Sequence, residues 1–107
     1  MVYINMVGTK RKFVSVVISK SERDKKLKAV LTDDKGKTKT LHFGAKGMSD
    51  FTINKDEKRK KNYLARHKVN ENWTVPDTSG SLSRWILWNK KSQSDSIKDY
   101  KKRFKLK

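Results

Sequence analysis

Four apolar stretches rich in β-branched residues occupy the first half of the chain: residues 3–7, 13–19, 28–32 and 39–43. Short apolar runs of this kind, bounded by polar segments, are typical of β-strands. Between the last two runs, residues 33–37 contain Gly36, which can adopt the positive φ of a tight hairpin turn. The pattern therefore predicts an antiparallel sheet of three to four strands, with Lys side chains at the hairpin tips.

After residue 50 the apolar positions follow a helical spacing. Asn54 followed by Glu57 has the form of a capping box, which predicts a helix over residues 55–68. Tyr63 and Leu64 give this helix a narrow apolar stripe. Its first two turns are crowded with Lys and Arg, so we expect the rest of its surface to face solvent.

Two further helices are predicted in the C-terminal third. Thr78 or Ser79 can cap a short helix over residues 81–89. Ser94 can cap a last helix, and its apolar side chains recur at spacings of three and four residues. These side chains are Ile97, Tyr100 and Phe104.

The order of the elements, strands first and helices afterwards, predicts the fold class α+β. We expect a small antiparallel sheet of three to four strands, followed by two or three helices packed on one face. The helices around residues 55–68 and 94–104 should form that cover, with the last apolar stripe and Trp85 largely buried. No internal repeat or low-complexity linker divides the chain, so residues 1–107 are expected to form a single domain.

The composition is strongly basic, with 28 Lys and Arg against 11 Asp and Glu and a formal net charge of +17 over 107 residues. Self-repulsion at this charge destabilises a compact chain unless a polyanion compensates it. The cations are mostly Lys, which suits phosphates met without fixed geometry, whereas Arg reads bases in a bidentate manner. Nucleic acid, with duplex DNA favoured, is therefore the predicted partner; solubility alone is the alternative explanation of the charge.

Two clusters of basic side chains on predicted helices are the candidate nucleic-acid-binding residues. Helical positions three or four apart share a face, so each cluster forms a basic edge. We expect both edges to contact phosphates without a preference for sequence. The candidates are Lys58, Arg59 and Lys61 on one helix, and Lys98, Lys101 and Lys102 on the other.

One segment escapes the positive charge: residues 71–89 carry one Arg and two carboxylates, and they contain all three Trp. Trp85 and Trp88 are three residues apart and would lie on one side of a helix. Exposed, they would stack on single-stranded bases; buried, they would supply core area that a chain with 34% hydrophobic residues needs. We expect Trp73, Trp85 and Trp88 to belong to the core, and the stacking alternative stays open.

The side chains that support catalysis or metal binding are sparse. The chain has no Cys, which excludes disulfides, thiolate zinc sites and cysteine nucleophiles. We expect His67 to pack beside Tyr63 rather than to join Glu71 as a metal ligand, and His42 is distant in sequence. No P-loop spacing and no Ser, His and Asp arrangement stands out. We therefore expect no metal, no cofactor and no enzymatic activity.

Several short motifs occur together between residues 41 and 104: DFTINKD at 50–56, Arg59, YLARH at 63–67, ENW at 71–73 and SRWILW at 83–88. As a linked set they resemble an uncharacterised family of small basic proteins encoded by large double-stranded DNA viruses of algae and amoebae. The resemblance implies a viral origin and packaging in the virion. It brings no assigned activity and no known site residues.

Three functional hypotheses follow. The first is a nucleic-acid-binding protein, sequence-independent and associated with a genome in a virion. The alternative is a minor capsid or internal virion structural protein that binds acidic surfaces of other virion proteins, and an enzyme acting on nucleic acid is a third. No apolar run approaches the roughly 18 residues of a membrane span, and residues 1–12 lack the apolar stretch of a signal peptide. The expected location is therefore the virion, or the nucleus or cytoplasm of an infected cell.

Overall fold

The computed structural model of the chain describes residues 11–107, so the strand predicted at residues 3–7 lies outside the described residues. Within the described part, the strands pair antiparallel in chain order and the helices follow them. The α+β fold predicted from the sequence is confirmed. The elements are β1 (Phe13–Lys20), β2 (Lys25–Asp33), β3 (Thr38–Ala45), α1 (Phe51–Asn54), α2 (Glu57–His67), α3 (Ser79–Leu82), a π-helical turn (Ser83–Leu87) and α4 (Gln93–Arg103).

The sheet has one buried face and one open face, because successive side chains of a strand point to opposite sides. The register of the strands brings the buried side chains together on one face. On the other face, Val17 pairs with Val30 and is 64% exposed. The buried face is formed by Val16, Leu27, Ala29, Leu31 and Phe43.

The buried face packs directly against α3 and the π-helical turn, and α4 packs against that turn. The sequence pattern had indicated the helices around residues 55–68 and 94–104 as the cover. The difference arises because Leu82, Ile86 and Leu87 are concentrated in one short segment, where all three are fully buried. α3 and the π-helical turn therefore lie at the centre of the domain, and the two long basic helices, α2 and α4, lie outside this segment.

The apolar stripe of α4 is buried as predicted. Tyr100 has no exposed surface, and its hydroxyl donates to the carbonyl oxygen of Pro76 at 2.8 Å. Ile97 and Phe104 are partly buried against the same core, and the Phe104 ring meets the Tyr100 ring edge-on. Trp85 also packs against this core, so all four predicted side chains contribute to it, Tyr100 fully buried and the other three partly buried.

The end of α4 returns to the sheet. Lys105 has a φ of 56°, in the left-handed region that reverses the chain after a helix. Leu106 is buried, and the backbone N–H of Lys107 donates to the carbonyl oxygen of Val14 at 3.0 Å. The carbonyl oxygen of Lys107 accepts from the N–H of Val16 at 3.1 Å. Backbone hydrogen bonds therefore join the end of the chain to the edge of β1.

The predicted start of the helix over residues 55–68 is wrong. Asn54 ends α1 rather than capping α2, and Lys55 separates the two helices with a φ of 53°. Asp56 is the N-cap of α2, and Glu57 is its first residue instead of its third. The reason is that the helical segment begins earlier than expected, since Phe51 is drawn into the core.

The N-cap predicted for α3 is confirmed, and the N-cap predicted for α4 is wrong. The Thr78 side chain accepts from the N–H of Ser81 and caps α3, as one of the two predicted alternatives. Ser92 caps α4 by accepting from the N–H of Asp95, so the predicted cap at Ser94 is wrong. Ser92 and Ser94 are both plausible from composition, and only the path of the preceding chain decides between them.

Gly44 and Gly36 allow a matched test of this packing. Both have a positive φ, of 84° and 81°. A Cβ on Gly44 would lie 2.8 Å from Cδ1 of Leu87, whereas nothing lies within 4 Å of a Cβ on Gly36. Each Gly→Ala variant should lose about 1–2 kcal/mol for the left-handed backbone. Gly44→Ala should lose at least about 1 kcal/mol more through overpacking, measured by urea unfolding. Equal losses would contradict the close packing of the π-helical turn on β3.

Candidate nucleic-acid interface

The six cations predicted to bind phosphate lie on two surface helices. Among residues 11–107, none of the six forms an ion pair with a carboxylate. Their positive charge is therefore free to meet an external anion. All are exposed except the half-buried Lys101: Lys58, Arg59 and Lys61 on α2, and Lys98, Lys101 and Lys102 on α4.

Many of the carboxylates have structural roles inside the fold. Asp50 is 2% exposed, caps α1 and binds Nζ of Lys26 at 2.6 Å. Asp56 caps α2. Carboxylates of the described part pair with five Lys or Arg side chains, so most of the positive charge has no internal counter-ion. The five paired cations are Arg11, Lys26, Lys28, Lys39 and Arg103.

Partly buried cations lie between the two basic helices. Lys60 of α2 donates to the carbonyl oxygen of Asn89, in the segment that leads to α4, at 2.7 Å. Burial lowers the pKa of Lys60, and the nearby charges of Arg84 and Lys90 lower it further. Burial also lowers the pKa of Arg84, with Arg103 as the next cause. The fold therefore holds like charges close together, and a bound polyanion would relieve that repulsion.

The three Trp side chains occupy different depths. Trp88 belongs to the core at 9% exposure, while Trp85 and Trp73 are half-buried beside it. Nε1 of Trp85 donates to the carbonyl oxygen of Trp73 at 2.9 Å. The guanidinium carbons of Arg84 and Arg103 lie 4.1 and 3.6 Å from the centre of a Trp85 ring. The prediction of a Trp core is thus right for Trp88, and the Trp85 ring is occupied by cation–π contacts.

Three aromatic rings form a column along α2. Trp88 stacks on Tyr63 with 4.3 Å between ring centroids and 7° between planes, and Tyr63 stacks on His67 at 4.1 Å and 22°. One carboxylate holds the end of this column, because Oε2 of Glu71 lies 2.9 Å from Nδ1 of His67. Its other oxygen, Oε1, accepts from Nε1 of Trp73 at 2.8 Å. The prediction that His67 packs beside Tyr63 is confirmed.

A groove of about 650 Å³ is bounded by α2, the start of β2, the end of β3 and the start of α3. Basic, aromatic and apolar side chains all contribute to its walls. We call it the α2 groove, and its defining residues are Arg59, Tyr63, Arg66 and His67 of α2, Lys25 of β2 and Met48 of the segment after β3.

The structure separates Arg59 from the two Lys with which the sequence grouped it. Arg59 lines the α2 groove, whereas Lys58 and Lys61 are not part of its walls. Arg66 lines the groove as well, although it was not among the candidate cations. The spacing of Arg59, Tyr63 and Arg66, at i, i+4 and i+7, is the signal that could have identified this face. The opposite wall comes from distant strands, and no spacing in the sequence indicates it.

Across residues 11–107, no group of three or more His, Asp or Glu side chains is arranged to hold a metal ion. Over that range, no helix combines the length and the apolar character that crossing a membrane requires.

Comparison with known proteins gives one match. A family of unknown function (DUF5754) matches residues 14–67, which run from β1 to the end of α2. The matched segment includes Arg59 and Arg66 and excludes the three cations of α4. Neither a curated protein nor a solved structure matches the chain significantly.

The Tyr63 hydroxyl provides a test of the aromatic column. Burial, and then the negative charge of Glu71, raise the pKa of Tyr63 to about 12 from 10.0. Because the folded protein favours the neutral hydroxyl, this preference stabilises the fold fully below pH 10. The stabilisation is lost as the pH rises through 12. The free energy of unfolding should fall over this interval by more in the wild type than in Tyr63→Phe. The tyrosinate absorbance difference between the two folded proteins should have its midpoint near pH 12, and a midpoint near pH 10 would contradict burial of this ring.

Proposed function

The chain belongs to DUF5754, a family of unknown function, and we propose that this member binds nucleic acid through phosphate contacts made by α2 and α4, without reading the base sequence. The proposal needs no cofactor and no catalytic step. Its contact residues are six of the exposed or half-buried cations of the two helices: Lys58, Arg59, Lys61, Lys98, Lys101 and Lys102.

One observation carries this proposal: within the described residues, these six cations have no carboxylate partner, in a chain whose formal net charge is +17. A polyanion that neutralises them releases its condensed counter-ions, and this release favours binding. Duplex DNA is the favoured polyanion because it carries one charge for about every 1.7 Å of helix axis.

The arginines support phosphate contact over base reading. Specific base recognition relies mainly on a free guanidinium fork. Arg11 is paired with Asp33 in this fold. Arg84 and Arg103 pack over the Trp85 ring. Half of the six Arg side chains are therefore engaged internally, and Lys dominates the remaining basic surface.

The proposed setting is a virion, with the packaged genome as the polyanion and other virion proteins as further partners. The support for it is the resemblance of residues 41–104 to small basic proteins of large double-stranded DNA viruses. The alternative role, a structural virion protein that binds acidic protein surfaces, would use the same cations. Affinity for duplex DNA separates the two.

The salt dependence of binding tests the proposed contact. We expect the wild type to bind two duplexes of unrelated sequence equally, with log Kobs falling linearly against log salt at about −0.9 per phosphate contacted. Changing Lys98, Lys101 and Lys102 together to Gln should flatten this slope by up to about three units and weaken both complexes equally. The measurement is fluorescence anisotropy of labelled duplex over a salt series.

The matched control is the triple Arg variant at the same three positions. It keeps the charge and should keep the slope, whereas a packing effect would alter both variants alike. An unchanged slope in a folded Gln variant would show that these α4 side chains do not contact the phosphates. If the wild type does not bind duplex at about 0.1 M salt, where the Debye length is about 10 Å, the result would support the acidic-protein alternative instead.

A further inference from the structure

We infer that the α2 groove binds one unpaired nucleotide of a single-stranded segment, with its phosphate at Arg59 and Arg66 and its base against the apolar part of the groove. This inference rests on the proposed function and adds a base-dependent contact to it. A groove of about 650 Å³ lies within the range of about 300–1,000 Å³ that is typical of small-ligand sites.

The charge of the groove is the first reason for an anionic ligand. Its two carboxylates are engaged by the protein: Asp50 binds Lys26 and caps α1, and Glu71 contacts His67 and Trp73. In contrast, Arg59, Arg66 and Lys25 are exposed. In the part of the chain that the structure describes, these three form no ion pair. The net positive wall is therefore free to bind a phosphate, and a guanidinium can do so with two hydrogen bonds.

The apolar and aromatic surface of the groove is the second reason, because a phosphate alone would not need it. Met48 lines the groove and is 64% exposed, although a side chain of this size is normally buried. The column of Trp88, Tyr63 and His67 ends in the groove at His67, whose side chain is 37% exposed. Aromatic rings stack on any nucleobase, since every base has a π-face.

The ligand must be unpaired because a duplex hides the flat surfaces of its bases. In a duplex each base is stacked between neighbours and cannot enter a groove unless it is flipped out. A single strand presents base and phosphate together, which is the combination that the α2 groove offers. Duplex contact at the α2 and α4 cations and nucleotide contact in the groove share only Arg59, and the other residues of each contact allow the two to be separated.

The first experiment compares three labelled probes by fluorescence anisotropy at one salt concentration: a short oligothymidylate, an abasic strand of the same length, and a duplex. The oligothymidylate should bind about tenfold more tightly than the abasic strand, the size of one base–aromatic stacking interaction. Equal affinity for the two single strands would overturn the inference and leave the proposed function standing. Failure to bind any probe would overturn both.

The second experiment locates the contact with matched variants of α2. Arg59→Gln/Arg66→Gln and Lys58→Gln/Lys61→Gln remove the same charge from one helix, but only the first pair lines the groove. The groove pair should weaken oligothymidylate binding about tenfold more than the control pair does. The control pair should weaken duplex binding at least as much as the groove pair does, because Lys58 and Lys61 are both proposed duplex contacts, whereas in the groove pair only Arg59 is. Equal effects of the two pairs on oligothymidylate would contradict a site in the groove.

The third experiment tests the apolar part with a carboxylate. Met48→Asp places a negative charge in the groove, and Val69→Asp places one at a 78% exposed position outside it. Only Met48→Asp should abolish the preference of the protein for oligothymidylate over the abasic strand. Both side chains are exposed, so both variants should keep the urea midpoint of the wild type. A preference that survives Met48→Asp in the folded protein would overturn the inference.

Discussion

Few carboxylates are available to balance the Lys and Arg side chains of this domain, and where the carboxylates lie determines which surfaces stay cationic. The chain has 28 Lys and Arg side chains and 11 Asp and Glu, and the fold uses several of those few carboxylates to fix its own architecture. Asp50 and Asp56 cap consecutive helices, and Glu71 ties the end of the aromatic column to a loop. Because these groups are committed to the interior and to helix starts, the outer surfaces of α2 and α4 are left strongly cationic.

Aromatic rings and backbone carbonyls replace some of the missing counter-ions. Arg84 and Arg103 lie over the Trp85 ring, and Nζ of Lys60 lies 4.8 Å from the centre of the Phe51 ring while it donates to a backbone carbonyl. Such contacts accommodate a cation without neutralising it. They allow a small domain to pack while its net charge stays high. Burial lowers the pKa of Lys60, and the neighbouring cations Arg84 and Lys90 lower it further.

The local and periodic features of the fold could be predicted from the sequence, and the long-range ones could not. A short apolar run rich in β-branched residues indicated β1, and the spacing of the α4 stripe indicated the burial of Tyr100. The caps were harder to predict, because Lys55 takes a left-handed conformation that no pattern marks and Phe51 starts a separate helix. The candidate cations were identified by composition and helical spacing. The α2 groove could not be identified in this way, because its walls combine Arg59 of α2 with Lys25 of β2, which are distant in the sequence.

Under the proposed function, a bound polyanion compensates the charge imbalance of the folded chain. The most direct measurement is urea unfolding at low salt with and without duplex DNA. Duplex at about 100 times its Kd should raise the free energy of unfolding by up to about 2.7 kcal/mol, and added salt should remove this gain. If duplex leaves the free energy of unfolding unchanged at low salt, no bound polyanion compensates the charge.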